Sequence, residues 1–466
     1  MRHRDTMKSE EGSQEEKFRQ MTESPVRRLI LTLAAPSILS NLVTSIYNLS
    51  DTFFVGSLGV EASGAIGISF VAMTAIQAVG FYFGQGIGNA ASRGLGKQET
   101  EHACRLATNG LAYTLMMGVL IAIVGNVFID PLCRLAGSTE TILPYARTFI
   151  GLTLLGAPFM CGALMLNTLM RFEGEAFYAM VAIMTGAILN IGLEPLFIYV
   201  LGMGIAGSAL STIICQAISF VILVIQLQHT GITTLSPAWL QPPSAAMLRE
   251  INNGGVPSFV RQVMLGIATT LLNDAARPFG DPAIAGLAIV QRICAFGNYI
   301  QIGIGQGYQP VVGYNYGARK FSRIRRGYFF SVGAAVVSVL MVGILTCTFA
   351  PQLVSAFTPD AEAIQIATLS LRVESFTMAI TGVAMITNFL LQTTGRMWRA
   401  TILGACRLGL VLGPVVLVLP HLWGLLGVQL AQPVTDVITG LIALPLAWQV
   451  LRELRQEERG LRPTRV

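Results

Sequence analysis

Two carboxylates and several amide and hydroxyl groups occur within apolar stretches of the first half of this 466-residue chain. Asp51 lies late in one stretch, and Glu194 lies late in another with Asn190 four residues before it. Residues four apart share one face of a helix. Pro195 lacks an N–H, which leaves the carbonyl of Ile191 without its helical partner. Oxygen groups of these kinds are ligands for a hard cation, and an intramembrane carboxylate can also carry a proton.

Hydroxyl groups follow at the start of the next apolar stretch, in Ser208, Ser211 and Thr212. A helix rises about 1.5 Å per residue, so Asp51 and Glu194 lie near the far ends of their stretches, on the side where this one begins. All three stretches therefore bring oxygen atoms to one depth. Acidic residues at helix ends are often hydrated caps, and hydroxyls often only hold helices together. Intramembrane acids are functional by default, so we predict an ion or proton site here.

The second half of the chain carries a different set of charges. The positions that correspond to Asp51 and Glu194 in an internal repeat hold Leu272 and Val415. The charged residues of its apolar stretches are Arg261, Arg292, Arg407, Glu374 and Asp274. A buried arginine needs an acidic partner or a water-filled cavity. We expect Arg–Glu pairing, with Glu374 as the clear acidic partner, and contact with a substrate is the alternative.

Composition indicates that these residues belong to a membrane protein. Hydrophobic residues make up 53% of the chain and charged residues 12%, about half of the ~25% usual in soluble domains. Apolar stretches of about 20 residues, the length that crosses a bilayer as a helix, recur between charged segments. We therefore predict an all-α integral membrane protein with twelve transmembrane helices. The predicted spans are 28–55, 61–84, 103–129, 144–169, 176–200, 207–228, 248–275, 283–307, 327–350, 364–391, 398–420 and 424–449.

Other classes of protein are not indicated. The seven cysteines include no CxxC pair and the four histidines are isolated, so we expect neither a disulfide framework nor a metal site. No nucleophile and base stand out, so we predict no enzyme activity and no cofactor beyond a coupling ion. The net charge of +6 is explained by basic loops and requires no nucleic acid. Residues 1–24 are charged, resemble no signal peptide and are expected to be disordered.

The chain repeats itself at an offset of 221 residues. Matching residues at this offset are Pro36 and Pro257, Gly84-Gln85-Gly86 and Gly305-Gln306-Gly307, and Asn167 and Asn388. The glycines predict close approach between helices. A long repeat in a membrane chain predicts two helix bundles with a binding site at their interface. Six spans per half return the chain to its starting side, so the two repeats are parallel.

Basic residues predict the orientation. They are concentrated in loops after even-numbered spans, and only Arg134 and Arg277 occur in loops after odd-numbered spans. The positive-inside rule then places both termini in the cytoplasm, with the chain in the cell membrane, the inner membrane of a bacterium. The expected domains are a tail at 1–24, a first lobe at 25–228, a cytoplasmic linker at 229–247, a second lobe at 248–450 and a tail at 451–466.

Further residues concern movement and substrate. Pro36 removes a backbone donor and bends the first span, which makes it a candidate hinge, and a static kink is the alternative. A cavity for planar cations requires soft apolar and polar contacts. The candidate lining residues are Tyr47, Met73, Gln77, Asn298 and Gln301.

Four stretches of the sequence share a pattern with a known family. They are the stretch from Asp51 to Gly56, Gly84-Gln85-Gly86, Gln291-Arg292-Ile293 and the block from Gln306 to Arg319. Together they resemble the MATE family of multidrug efflux transporters, over about residues 25–450. The resemblance implies two six-helix lobes forming a V, and export of small organic cations across the bilayer in exchange for Na+ or H+. We expect the transporter to be a monomer.

The resemblance also implies an ion site in the first lobe. Members of one branch use an Asp in the first helix, an Asn and an acid four residues apart in the fifth, and a Thr in the sixth. Asp51, Asn190, Glu194 and Thr212 match that pattern and are the implied coupling residues. Glu194 departs from the common Asp, and its longer arm leaves Na+ and H+ both open.

The second lobe distinguishes the branches of the family. Leu265 and Val383 are apolar at positions where another branch carries acids, so the resemblance points to the MepA-like and DinF-like branch. The arginines of the second half keep an alternative function open, the flipping of lipid-linked or other amphiphilic molecules by a flippase of the same superfamily. The major-facilitator fold is not indicated, because its charged signature after the second span is absent.

Overall fold

The computed structural model describes the backbone of residues 2–460 and the side chains of residue 12 and residues 14–460. Within this part of the chain there are seventeen α-helices and no strand, which confirms the all-α prediction. The helices are α1 (Arg2–Glu23), α2 (Val26–Gly56), α3 (Val60–Gly96), α4 (Thr100–Val127), α5 (Ile129–Leu135), α6 (Leu143–Leu155), α7 (Ala157–Phe172), α8 (Ala176–Pro195), α9 (Ile205–Thr230), α10 (Ala245–Ala276), α11 (Asp281–Gly317), α12 (Phe321–Thr348), α13 (Ala350–Ser355), α14 (Ala361–Thr393), α15 (Met397–Ala405), α16 (Leu412–Trp423) and α17 (Leu425–Glu458).

The helices reproduce the predicted membrane spans. Among residues 2–460, eleven helical segments are long and apolar enough to cross a membrane. The pair α6 and α7, bent by 52° at a short break, is a twelfth if both cross as one span. Helices α3 and α11 continue past the predicted ends at 84 and 307, to Gly96 and Gly317. Their last turns are almost entirely buried, so packing extends these helices where hydropathy alone indicates an end.

The internal repeat is also a structural repeat. Helices α3 and α4 begin and end 221 positions before α11 and α12. Asn167 donates a hydrogen bond from Nδ2 to the carbonyl of Ala179 at 2.9 Å. Asn388 makes the equivalent bond to the carbonyl of Ala400 at 2.7 Å. Each of the two equivalent asparagines therefore connects its own helix to the next helix of the chain by a hydrogen bond.

The chain forms two compact units. The first contains the residues up to Gln20 and Leu39–Phe259, and the second contains Met21–Ile38 and the chain from Val260 onward. The change of unit falls two residues after Pro36 and two residues after Pro257, so the repeat extends to the division itself. The units therefore differ from the expected lobes, 25–228 and 248–450, at the start of α2 and the start of α10. The lobes in the membrane stay a prediction.

The glycines of the repeated Gly-Gln-Gly segments lie against backbone, as predicted. Gly86 packs on the carbonyl of Ile251 at the start of α10, within the first unit. Gly307 packs on α2 in the second unit, where an added Cβ would lie 2.6 Å from the backbone nitrogen of Ala34. No real Cβ tolerates so short a contact, so glycine is needed at both positions.

The predicted disorder of residues 1–24 is wrong for the described part, which forms α1. In the first unit, Lys17 forms an ion pair with Glu175 at 2.7 Å. In the second unit, the carbonyl of Met21 accepts a hydrogen bond from Nδ2 of Asn315 at 3.0 Å, and Met21 is fully buried. The charged composition of residues 1–24 suggests disorder because it does not reveal these partners, which lie more than 150 residues away along the chain.

Candidate ion-coupling site

Three helices of the first unit supply the predicted oxygen groups. Helix α2 carries Asp51, α8 carries Glu194 and α9 begins shortly before Ser208. Glu194 lies at the end of α8, just before Pro195 and a π-helical turn over Leu196–Val200. The turn is closed by a bond from the amide of Leu201 to the carbonyl of Leu196 at 3.0 Å. Wide turns of this kind are frequent at functional sites.

Ser208 connects the two carboxyl groups. Its Oγ lies 2.9 Å from Oδ1 of Asp51 and 2.9 Å from Oε1 of Glu194. A hydroxyl has one proton and cannot make two full donor bonds. Either the single hydroxyl proton is shared between the two carboxylates, or one carboxyl group is protonated and donates to the hydroxyl oxygen. Two acids that converge on one oxygen favour the uptake of a proton or a cation.

The site also holds buried oxygen atoms that lack donors. Oε2 of Glu194 and Oδ1 of Asn190 are both buried and have no hydrogen-bond partner among the described residues. Nδ2 of Asn190 is used, because it donates to Oγ1 of Thr212 at 3.3 Å. Leaving a buried acceptor unsatisfied costs about 1–3 kcal/mol. Carboxylate, carboxamide and hydroxyl oxygens suit a hard cation such as Na+, so these residues fit the implied coupling ion.

Asp51, Asn190, Glu194 and Thr212 are thus brought together, although their role in coupling stays a prediction. Glu194 and Asn190 are no more than 1% exposed, whereas Asp51 is half-buried and so has some access to solvent. From the sequence, Ser208 is only one of three hydroxyl residues at the start of the sixth apolar stretch. Its position between the acids depends on the rotation of α9, which no sequence pattern reports.

Tyr47 belongs to the same neighbourhood. It was predicted to contact substrate, and it lies one turn before Asp51 on α2. Its hydroxyl lies near the hydroxyl of Thr212. A residue expected in a substrate cavity therefore also lies beside a predicted coupling residue, and its contact with substrate stays a prediction.

The other predicted substrate residues are distributed over both units. In the first unit, Met73 packs half-buried against the apolar core, and Gln77 is half-buried. In the second, Asn298 is half-buried, whereas Gln301 is fully buried and its amide is used by α14, with bonds to the carbonyl of Met378 and from Thr381. Their common role as a cavity lining stays a prediction. Pro36 lies within the continuous helix α2, and its role as a hinge also stays a prediction.

Arg261, Arg292 and Arg407 do not form the predicted pairs with glutamate. Nε of Arg407 bonds to Oδ1 of Asp436 on α17 at 2.9 Å, and Asp436 is 1% exposed. Glu374 lies within electrostatic range of both groups but is not the hydrogen-bonded partner. Arg292 is exposed. Asp436 was missed, although a lone acid inside the last apolar span is a signal that could have found it.

Comparison with known proteins gives the family. The MatE family model matches residues 36–196 and 257–418, one stretch in each repeat. Among curated proteins, the multidrug export protein MepA of Staphylococcus haemolyticus (strain JCSC1435) is 24% identical over 444 residues, which cover 94% of this chain and 97% of the relative. MepA of Staphylococcus aureus (strain MRSA252) is 25% identical over 428 residues, covering 91% and 94%.

Solved structures of similar fold belong to the same group of transporters. An outward-facing multidrug resistance MATE transporter of the MOP superfamily superposes with a TM-score of 0.89 at 26% identity, covering 94% of this chain and 98% of the other. A MOP superfamily transporter from Pyrococcus furiosus, for which reverse polarity of the binding pocket suggests a different function, gives a TM-score of 0.88 at 26% identity, with the same coverage. The chain belongs to the MatE family, the multidrug and toxic compound extrusion transporters, and is a multi-pass membrane transporter rather than an enzyme.

Proposed function

We propose that this protein is a secondary active multidrug efflux transporter that exports organic cations in exchange for Na+ or H+ by alternating access. The observation that carries the proposal is the convergence of Asp51 and Glu194 on the hydroxyl of Ser208, beside buried oxygens without donors. The substrate class is supported by relatives that are named multidrug export proteins.

The coupling ion acts on three helices at once. Asp51, Glu194 and Ser208 belong to α2, α8 and α9, so a proton or Na+ bound between the acids holds these helices together. Without the ion, two ionised carboxyl groups that each lie 2.9 Å from the hydroxyl of Ser208 repel each other. Loading and release of the ion therefore shift α2 relative to α8 and α9. A coupling free energy of about 1–3 kcal/mol is enough for the ion and the substrate to displace each other.

Tyr47 provides a route for that competition. Its hydroxyl lies near that of Thr212, and its ring is placed one turn from Asp51 on α2. A planar cation that stacks on the ring of Tyr47 and withdraws its hydroxyl from Thr212 disturbs the ion ligands directly. In this proposal, Met73, Gln77, Asn298 and Gln301 are the further residues that contact substrate during the transport cycle.

The proposal includes a location and a cycle. In this proposal the protein is a monomer in the cell inner membrane with both termini in the cytoplasm, and the basic loops support that orientation. Structures of MATE in a straight and in a bent conformation each match this chain with a TM-score of 0.89. The existence of two conformations for one similar fold supports alternation between states, with Pro36 as the hinge in α2.

The first prediction tests Asp51. The purified full-length protein is reconstituted in vesicles, and movement of ethidium is followed under an imposed Na+ or pH gradient. Replacement of Asp51 by Asn removes the charge that the ion neutralises, so we expect Asp51→Asn to reduce gradient-driven transport at least tenfold without loss of folded protein. The matched control is Asp274→Asn, which alters an exposed acid on α10. It should transport like the unaltered protein.

Two results would contradict the proposal. If Asp51→Asn transports ethidium at the unaltered rate, Asp51 has no part in coupling. If neither gradient drives transport in the unaltered protein, antiport is wrong, and the alternative, a flippase for lipid-linked or other amphiphilic molecules, becomes the better explanation.

A further inference from the structure

A small cavity lies within the second unit, among α10, α14, α15 and α17. Its volume is about 50 Å³. Drug-sized ligands need about 300–1,000 Å³, so the cavity is the size of a head group rather than of a whole substrate. The polar residues among those that line it are Arg261, Arg407, Thr439, Asn388 and Thr381.

Arg261 lacks a counter-charge. Its Nε is buried and has no hydrogen-bond partner among the described residues, and no ion pair of Arg261 is found there. The charged group that affects it is another cation, Arg407. A guanidinium with a buried, unpaired Nε beside a second cation is costly unless an anion accompanies it.

The nearby acids are directed to Arg407. Oδ1 of Asp436 accepts from Nε of Arg407 at 2.9 Å and from Gln432 at 3.2 Å. Glu374 interacts electrostatically with Arg407 and Asp436. Neither acid lines the cavity, whereas both arginines do. The wall of the cavity is therefore cationic although acids lie behind it.

The remaining polar lining adds a hydroxyl donor and no negatively charged acceptor. Oγ1 of Thr439 is buried without a partner among the described residues. Asn388 is used on both sides, since Nδ2 bonds to the carbonyl of Ala400 and Oδ1 accepts from Gln392. The hydroxyl of Thr381 lies 2.9 Å from Oε1 of Gln301 and 2.7 Å from the carbonyl of Met378, so its one proton is already used within the unit. What the cavity lacks is an acceptor of hydrogen bonds with negative charge.

The backbone creates the space for such a group. Gly404 lies beside Arg261, and a Cβ added there would meet Nδ2 of Asn388 at 3.4 Å and Cβ of Arg261 at 3.9 Å. A π-helical turn over Cys406–Leu410 follows at once and carries Arg407. The first unit places Glu194 beside its own π-helical turn, so each unit has a charged group at a widened segment.

We propose that this cavity binds the anionic head group of an amphiphilic molecule, a carboxylate or a phosphate, through Arg261 and Thr439 with Arg407 as the second cation. The head group is supplied either by a transported molecule with a carboxylate or by a membrane lipid with a phosphate. The site uses none of the coupling residues of the first unit, so it does not depend on the proposed cation antiport.

The test compares ligands that differ in one group. Dansylglycine carries a carboxylate, and dansylglycinamide replaces it by a neutral amide. Fluorescence titration of the purified full-length protein should show dansylglycine binding at least tenfold more tightly, a preference that Arg261→Gln abolishes and Arg261→Lys partly keeps. Arg292→Gln removes an exposed arginine of the same unit and should leave the preference unchanged. Displacement of dansylglycine by short-chain dihexanoyl phosphatidylglycerol tests the lipid source.

Each outcome of the titrations either supports or contradicts the proposed anion site. A carboxylate preference that depends on Arg261 supports a transported carboxylate, and Arg261-dependent binding of the short-chain lipid without that preference supports a lipid phosphate. If the unaltered protein neither prefers dansylglycine nor binds the lipid, the proposal is wrong, and this comparison needs no variant to fold. It is equally wrong if the preference persists in Arg261→Gln.

Discussion

At the scale of single residues, the candidate site depends on a short side chain at the start of α9. Ser208 reaches the carboxyl groups of Asp51 and Glu194 because α9 starts after Gly204, whose φ of 55° is in the left-handed region that glycine favours. The hydroxyl is fully buried, so water does not compete for it. A serine at this position thus holds two acids within reach of one ion.

Glu194 should be sensitive both to charge and to length. We expect Glu194→Gln to reduce gradient-driven ethidium transport at least tenfold, because a neutral amide does not neutralise the ion. Glu194→Asp should keep partial transport with a changed preference between Na+ and H+, because the shorter arm alters the distance to Ser208. Vesicle transport under each gradient separately measures both effects. If Glu194→Gln transports normally and Glu374→Gln does not, the ion site lies in the second unit.

Glu173 is a buried acid outside the membrane spans, in the turn between α7 and α8. Burial is the main cause that raises its pKa, to about 7, and the nearby charge of Glu175 adds to it. Bonds from the amide of Ile232 and the hydroxyl of Thr233 lower the pKa but do not offset the burial. These bonds attach the start of the linker between the repeats to the first unit.

The raised pKa of Glu173 predicts a pH dependence of stability. Its pKa when folded, about 7, lies above its usual value of 4.5, so the folded state binds the proton more strongly. The unaltered protein should therefore lose stability relative to Glu173→Gln as pH rises from 4.5 to 7, by roughly 3 kcal/mol in all. Midpoints of thermal unfolding for both proteins between pH 5 and 8 measure this difference. If the midpoint of the unaltered protein minus that of Glu173→Gln stays constant or increases with pH, the assignment is contradicted.

At the scale of helices, close packing requires glycine where helices meet backbone to backbone. Gly307 faces the backbone of Ala34, whereas Gly333, on α12 of the same unit, has no atom within 4 Å of where its Cβ would be. We expect Gly307→Ala to destabilise the protein by about 1–3 kcal/mol through overpacking. Gly333→Ala should be neutral or slightly stabilising, because alanine favours helix. Thermal unfolding of the two variants, compared in one detergent, checks the contrast, and equal midpoints would show that α11 can shift away from α2.

At the scale of the whole molecule, α2 and α10 take part in both units, as α1 does, and their divisions fall at equivalent positions after Pro36 and Pro257. In the proposed transport cycle, a change in α2 that follows ion binding to Asp51 is transmitted along a single continuous helix. This continuity supports the proposal of alternating access.

Spin labels can measure that route. Ser63→Cys and Ala285→Cys place labels on exposed residues near the starts of α3 and α11, in a Cys347→Ser background, because the other six cysteines are buried. We expect the distance distribution to change with pH or Na+, and Asp51→Asn to prevent the change. A distance that ignores both ions but responds to substrate would indicate a facilitator or a flippase instead.

The sequence by itself determined the membrane class, the positions of eleven or twelve spans and the internal repeat. Hydropathy over 20 residues reports whether a helix can cross a bilayer, and a repeat at 221 residues reports that two halves fold alike. Both properties belong to the chain before it folds. The sequence also indicated which oxygen groups share a depth, since depth follows from position along a helix.

Only the tertiary structure decided which side chains meet at that depth. Ser208 between the two acids, Asp436 as the partner of Arg407, and Arg261 without a counter-charge all depend on how each helix is rotated about its axis. Rotation is set by packing against several other helices at once, so no single apolar stretch specifies it. The order of α1 has the same cause, because its polar side chains find partners only after distant segments have packed.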